Sequence, residues 1–116
     1  MTVNRVTPDL SVADIAVSTA FYRDLVGLRT AMDQGWVAIL ANPDQPRVQI
    51  LLQTADQTAP VNPALSIEVD DVDAAYAAAL ELNAEIVHPL TDEGWGVRRF
   101  FVRDPDGHVV NVLGHR

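Results

Sequence analysis

Apolar and polar positions along this chain change period several times, and the changes mark out its elements. From Arg5 to Val12 the period is two. Pro8, Leu10 and Val12 form one row and Thr7, Asp9 and Ser11 the other, as a half-buried strand requires. Asp14 then caps a helix through about Val26, with Ile15, Ala16, Ser18, Thr19, Tyr22 and Leu25 spaced around it and Gly27 as its stop. Short strands follow near 28–32, 36–40 and 47–53, separated by Asp33-Gln34-Gly35 and Asn42-Pro43-Asp44-Gln45-Pro46. Residues 54–63 carry two prolines and little apolar content, and read as a linker.

The second half repeats this order. In 64–69, Leu65, Ile67 and Val69 alternate with Ala64, Ser66 and Glu68. Asp70 or Asp71 caps an Ala-rich helix to about Leu82, and strands are predicted near 85–88, 97–103 and 109–113. Superposing Asp14 on Asp71, an offset of 57 residues, also superposes Val12 on Val69, Leu25 on Leu82 and Gly27 on Ala84. Each half is strand–helix–strand–strand–strand, the trace an internal duplication leaves. The predicted fold is α+β, two βαβββ modules in one domain: module one about 1–54, linker about 55–63, module two about 64–116.

Composition narrows the chemistry. With 116 residues, 48% of them hydrophobic, the chain can bury one core. Cysteine is absent, which excludes disulfides, a thiol nucleophile and a thiolate metal site. All eight basic residues are Arg, so a lysine Schiff base is excluded too. A net charge of −8 with no basic stripe argues against nucleic acid as a partner and is compatible with a cationic ligand. No run approaches the ~18 apolar residues of a membrane span, and no signal peptide is apparent at Met1-Thr2-Val3-Asn4-Arg5. The expected location is the cytoplasm.

Two motifs go further. Asp104-Pro105-Asp106-Gly107-His108 lies between apolar strands and has the residues of a tight hairpin turn: Pro105 presets φ, the Asp side chains bond back to the backbone, and Gly107 tolerates positive φ. Together with Ala20-Phe21-Tyr22-Arg23-Asp24-Leu25-Val26-Gly27-Leu28, it resembles the glyoxalase / bleomycin-resistance / extradiol-dioxygenase superfamily, the vicinal oxygen chelate fold. The resemblance covers nearly the whole chain. It implies a curled mixed β-sheet with a ligand cleft, and, at this length, a homodimer.

In metal-using relatives one ligand comes from the first strand of each half and another from the last. By this resemblance those places fall on Thr7, Ala64, Asn111 and either Gln49 or Leu51, depending on register. Thr and Asn are weak neutral donors and Ala is none, so no metal is expected, although the family does use divalent ions. His108 is expected to bond within its turn, and His88 and His115 lack the spacing of a ligand pair.

If the apolar row of each strand packs under its helix, the opposite row lines the cleft. That row supplies the candidate binding residues Thr7, Asp9, Gln49, Ser66, Glu68, Arg99, Phe101 and Asn111, with Trp36 and Trp95 as aromatic walls and the Trp95 loop as a lid. Two functions follow. The first is a metal-free module binding a small aromatic or cationic molecule, with Asp9 and Glu68 as the charge match. The alternative is a lyase, isomerase or dioxygenase-type enzyme using an atypical metal site, or Asp9 or Glu68 as general acid or base.

Overall fold

The computed structural model describes residues 1–115. Its order is β1 (Val3–Ser11), α1 (Ile15–Val26), β2 (Arg29–Asp33), β3 (Val37–Asn42), β4 (Gln45–Gln53), β5 (Leu65–Val69), α2 (Val72–Glu81), β6 (Ile86–Asp92), β7 (Val97–Arg103) and β8 (Val109–His115). Strand, helix and three strands thus occur twice, the α+β plan expected. Two compact units result: an N-terminal unit, Thr7–Asn62, and a C-terminal unit in which Met1–Val6 joins the chain from Pro63 onward.

In the N-terminal unit the strand order is β2-β3-β4-β1, antiparallel except for the parallel β1–β4 pair. The Asp14 carboxylate accepts from the Val17 amide at 3.2 Å and caps α1. At the other end Gly27 takes a φ of 78° and returns its N–H to Arg23 O, a left-handed cap that costs glycine no Cβ strain. Ile15, Ala38, Leu40 and Leu52 form the core under α1, with Leu10, Val12, Tyr22, Leu28 and Ile50 against them. The stretch expected as a linker is a folded loop. Asn62 Nδ2 donates to Thr54 O at 2.8 Å and to Ser11 Oγ at 3.1 Å, and its Oδ1 accepts from Asp56 N. Side-chain amides here supply the partners that a strand ladder would otherwise give.

The C-terminal unit has the order β5-β8-β7-β6, with β5–β8 parallel and the rest antiparallel. Asp71, not Asp70, caps α2, accepting from Ala74 N at 3.0 Å. Asp70 is occupied otherwise: its carboxylate accepts from Thr2 N at 2.7 Å, and its own N–H donates to Thr2 O. These bonds hold the first residues of the chain in this unit. Val69, Val72, Ala75, Ala79 and Phe100 make its core, with Ile67, Tyr76, Val102 and Val112 packed on them. The strand expected to stop at His88 runs through Pro89 to Asp92. Lying at the edge of its unit's sheet, β6 tolerates a residue with no N–H, and its ladder shifts register between Ile86 and His88 and again across Pro89. No helix among the described residues is long and apolar enough to cross a membrane.

Candidate functional site

Period-two alternation divides each sheet into a helix-packed face and a polar one. In the C-terminal unit Ile67, Val69, Phe100, Val102 and Val112 pack toward α2. Ser66, Glu68, Arg99, Phe101 and Asn111 therefore occupy the other face. Asn111 stands at its centre, opposite Ser66 on β5 and Phe101 on β7. Its Nδ2 donates to Ser66 Oγ at 3.0 Å, and the two residues are 8% and 9% exposed. Asn111 Oδ1 is buried and has no hydrogen-bond partner among the described residues.

Two positions along β7 from Phe101 lies a buried ionic cluster. Arg99, 5% exposed, donates from Nε to Glu93 Oε1 at 3.1 Å, and Glu93 is itself 6% exposed. His88 Nε2 meets the same oxygen at 3.0 Å. The guanidinium carbon is 5.1 Å from the Trp95 ring centroid and 4.9 Å from that of Phe101, so two aromatic faces hold the cation in place. The His88 ring adds a tilted contact to Phe101 at 5.1 Å. Glu68 is partly buried, 3.7 Å from Arg5 Nε and 3.5 Å from His115 Nε2.

Trp95 sits in the tight connection between β6 and β7. Glu93 N donates to Val97 O at 2.7 Å, Gly96 N donates to Glu93 O, and Gly96 takes a φ of 85°. Glu93, Gly96 and Val97 are thus tied by backbone bonds around Trp95, whose 47% exposed indole lies against the Arg99 guanidinium.

The N-terminal unit has its own polar face. Thr7, Asp9, Gln49 and Gln53 are all buried. Asp9 lies beside Leu51 in the parallel ladder, and Gln49 Nε2 donates to Pro46 O at 3.0 Å. Trp36 precedes β3, half-buried, with its carbonyl accepting from Thr54 N and Oγ1. By parity it goes with Ala38 and Leu40, whose side chains pack under α1.

The sequence profile of the glyoxalase/bleomycin resistance protein/dioxygenase superfamily matches residues 2–112. The chain belongs to that superfamily. No curated protein matches it significantly. Among solved structures, a superfamily member from Vibrio splendidus 12B01 is similar with a TM-score of 0.74 and 22% identity, covering 97% of this chain and 99% of that one. An NAD-dependent benzaldehyde dehydrogenase from Legionella pneumophila gives 0.78 and 20%, over 96% and 99% of the two chains. The methylmalonyl-CoA epimerase from Mycobacterium tuberculosis gives 0.67 and 18%, over 98% and 87%. Likeness at these identities reaches the fold alone.

Members of the superfamily that use a divalent ion need charged or imidazole donors, and the residues here do not fit one. Asp9↔Leu51 in one unit corresponds to Ser66↔Asn111 in the other. The counterpart of Asn111 is therefore Leu51 and not Gln49, which resolves the choice that register left open. Thr7, Leu51, Ala64 and Asn111 offer two neutral oxygens and two hydrocarbon side chains. Among the described residues no group of three or more His, Cys, Asp or Glu is placed to hold an ion.

Three participants escaped the sequence reading: Glu93, His88 and Arg5. Glu93 shares the parity of Thr91, which pairs with Arg99. Ending the strand before Pro89 hid that relation. His108 does bond within its turn: its N–H and ring Nδ1 both meet the Asp104 carboxylate.

Proposed function

We propose that this chain binds a small organic molecule against the polar sheet face, using protein hydrogen bonds and aromatic surface without a divalent ion. The observation that carries the reading is the burial of Ser66, Glu93, Arg99 and Asn111 on one face of a sheet whose other face already packs the core. Burying polar groups is unfavourable unless something is gained from them, and such clusters concentrate at ligand sites. Of the two ligand types expected, the neutral aromatic is favoured over the cation. Arg5 and His115 already face the Glu68 carboxylate, and Arg99 already occupies the faces of Trp95 and Phe101. The second reading, acid–base catalysis, draws on Asp9, a buried carboxylate. A homodimer belongs to the proposal as well, with light scattering as its check.

A calorimetric titration with small aromatic compounds tests the main reading. It predicts saturable binding of about one ligand per chain, with the compound recovered unchanged. Conversion of a bound compound, lost in Asp9→Asn, would favour the enzyme. Absence of any binding would overturn both.

A further inference from the structure

We propose that Asn111 is the anchor of the ligand, and that it selects a neutral molecule presenting a hydroxyl or amide N–H. The inference rests on the binding function proposed above and adds the chemical group recognised. A carboxylate at position 111 would bring a charge suited to a cation, whereas the Asn111 amide brings none. One end of the Asn111 amide is satisfied, through Nδ2 on Ser66 Oγ. The other end, Oδ1, is a buried acceptor lacking a partner among the described residues. A buried acceptor left bare is destabilising, so a group that donates to it gains both its own hydrogen bond and relief of that cost.

Electrostatics decide which kind of donor. Arg5 with Glu68, and Arg99 with Glu93, are matched opposite charges on this face. Each carboxylate already faces an Arg, so neither is left to attract a ligand cation. Moving a cation from water to a single neutral carbonyl oxygen costs far more than moving a hydroxyl or amide. A carboxylate ligand would meet Oδ1 with lone pairs on both sides. The neutral donor is the one class that fits. Trp95 lies beyond Arg99 on the same row and leaves its indole 47% exposed, so an aromatic body attached to the donor is the natural form.

The test uses the full chain and three probes of one ring size, phenol, anisole and benzylammonium, in ligand-observed NMR titrations. Phenol is expected to bind about tenfold more tightly than anisole, the worth of one hydrogen bond to a buried acceptor. In Asn111→Leu that ratio should fall to about one, and the apoprotein should melt no lower than the wild type because its bare acceptor is gone. In Asn111→Asp the preference should move to benzylammonium. The wild-type ratio decides the matter even if a variant fails to fold. Equal binding of phenol and anisole would overturn the anchor and leave the binding function standing. Tightest binding of benzylammonium by the wild type would also overturn it. Binding of none of the three would overturn the anchor and the aromatic reading together.

Discussion

The two units share a helix side and differ on the opposite face. Under the helices the correspondence is close: Asp14 and Asp71 cap, Ile15 and Val72 follow them into the core, and each sheet sends its alternate apolar row to meet them. Across the sheets it fails. Where the C-terminal unit has Arg99, Phe101 and Asn111 in register, the N-terminal unit has Val37, Ile39 and Leu51. Where the N-terminal unit has buried Gln53, the C-terminal unit has Leu113. Packing under a helix limits what a duplicated strand can become, since volume and apolarity must both be kept. The far row is under no such limit from the helix, and it is there that the halves have separated into one ionic and one largely neutral face.

The largest expected effect breaks the difference. Arg99→Leu removes the cation from a buried pair and takes the guanidinium away from Glu93, which should cost about 3–5 kcal/mol of unfolding free energy in a urea titration. A loss below about 1 kcal/mol would mean that the cluster contributes little and that the two faces are alike in kind. Leu52→Ala, at a fully buried side chain under α1, should cost about 2–5 kcal/mol through the cavity it leaves.

A smaller pair of changes sharpens the likeness. Asp14→Ala and Asp71→Ala each remove one capping acceptor, and each should cost about 1 kcal/mol. Unequal losses would show that the helices are not held alike.

The smallest effect is a pH dependence confined to the C-terminal unit. The Thr2 N–H holds the Asp70 carboxyl below its ordinary value of 3.8. A depressed acid favours folding above its unfolded pKa, and that contribution disappears as pH falls through the lower folded value. Acid unfolding of Asp70→Asn should accordingly begin from a lower stability near neutral pH and change less below pH 3.8 than that of the wild type. Parallel curves would show that the Thr2–Asp70 contact contributes nothing to stability in acid.

Much of this fold was legible in the chain because its signals are local. Period-two rows, Asp14, Gly27 and the Asp104–His108 turn all act over a few residues, and the elements fall within a few residues of their expected bounds. What was not legible depends on neighbours distant in sequence. Pro89 looks like a strand end until β6 is known to be an edge. Whether Gln49 or Leu51 matches Asn111 is a matter of register, which one residue of slip would reverse. Residues 54–63 look like a linker until Asn62 is seen to bond Thr54, Asp56 and Ser11. Parity alone put Ser66, Arg99, Phe101 and Asn111 on one face, but the burial of Glu93 and its contacts with Arg99 and His88 required the folded strand.

The most direct measurement is the metal content of untagged protein after incubation with Mn, Fe, Ni and Zn in turn and desalting. The account predicts near-zero retained metal for each ion, because Thr7, Leu51, Ala64 and Asn111 supply no charged or imidazole donor. About one equivalent per chain or per dimer would contradict it and move the enzyme reading ahead.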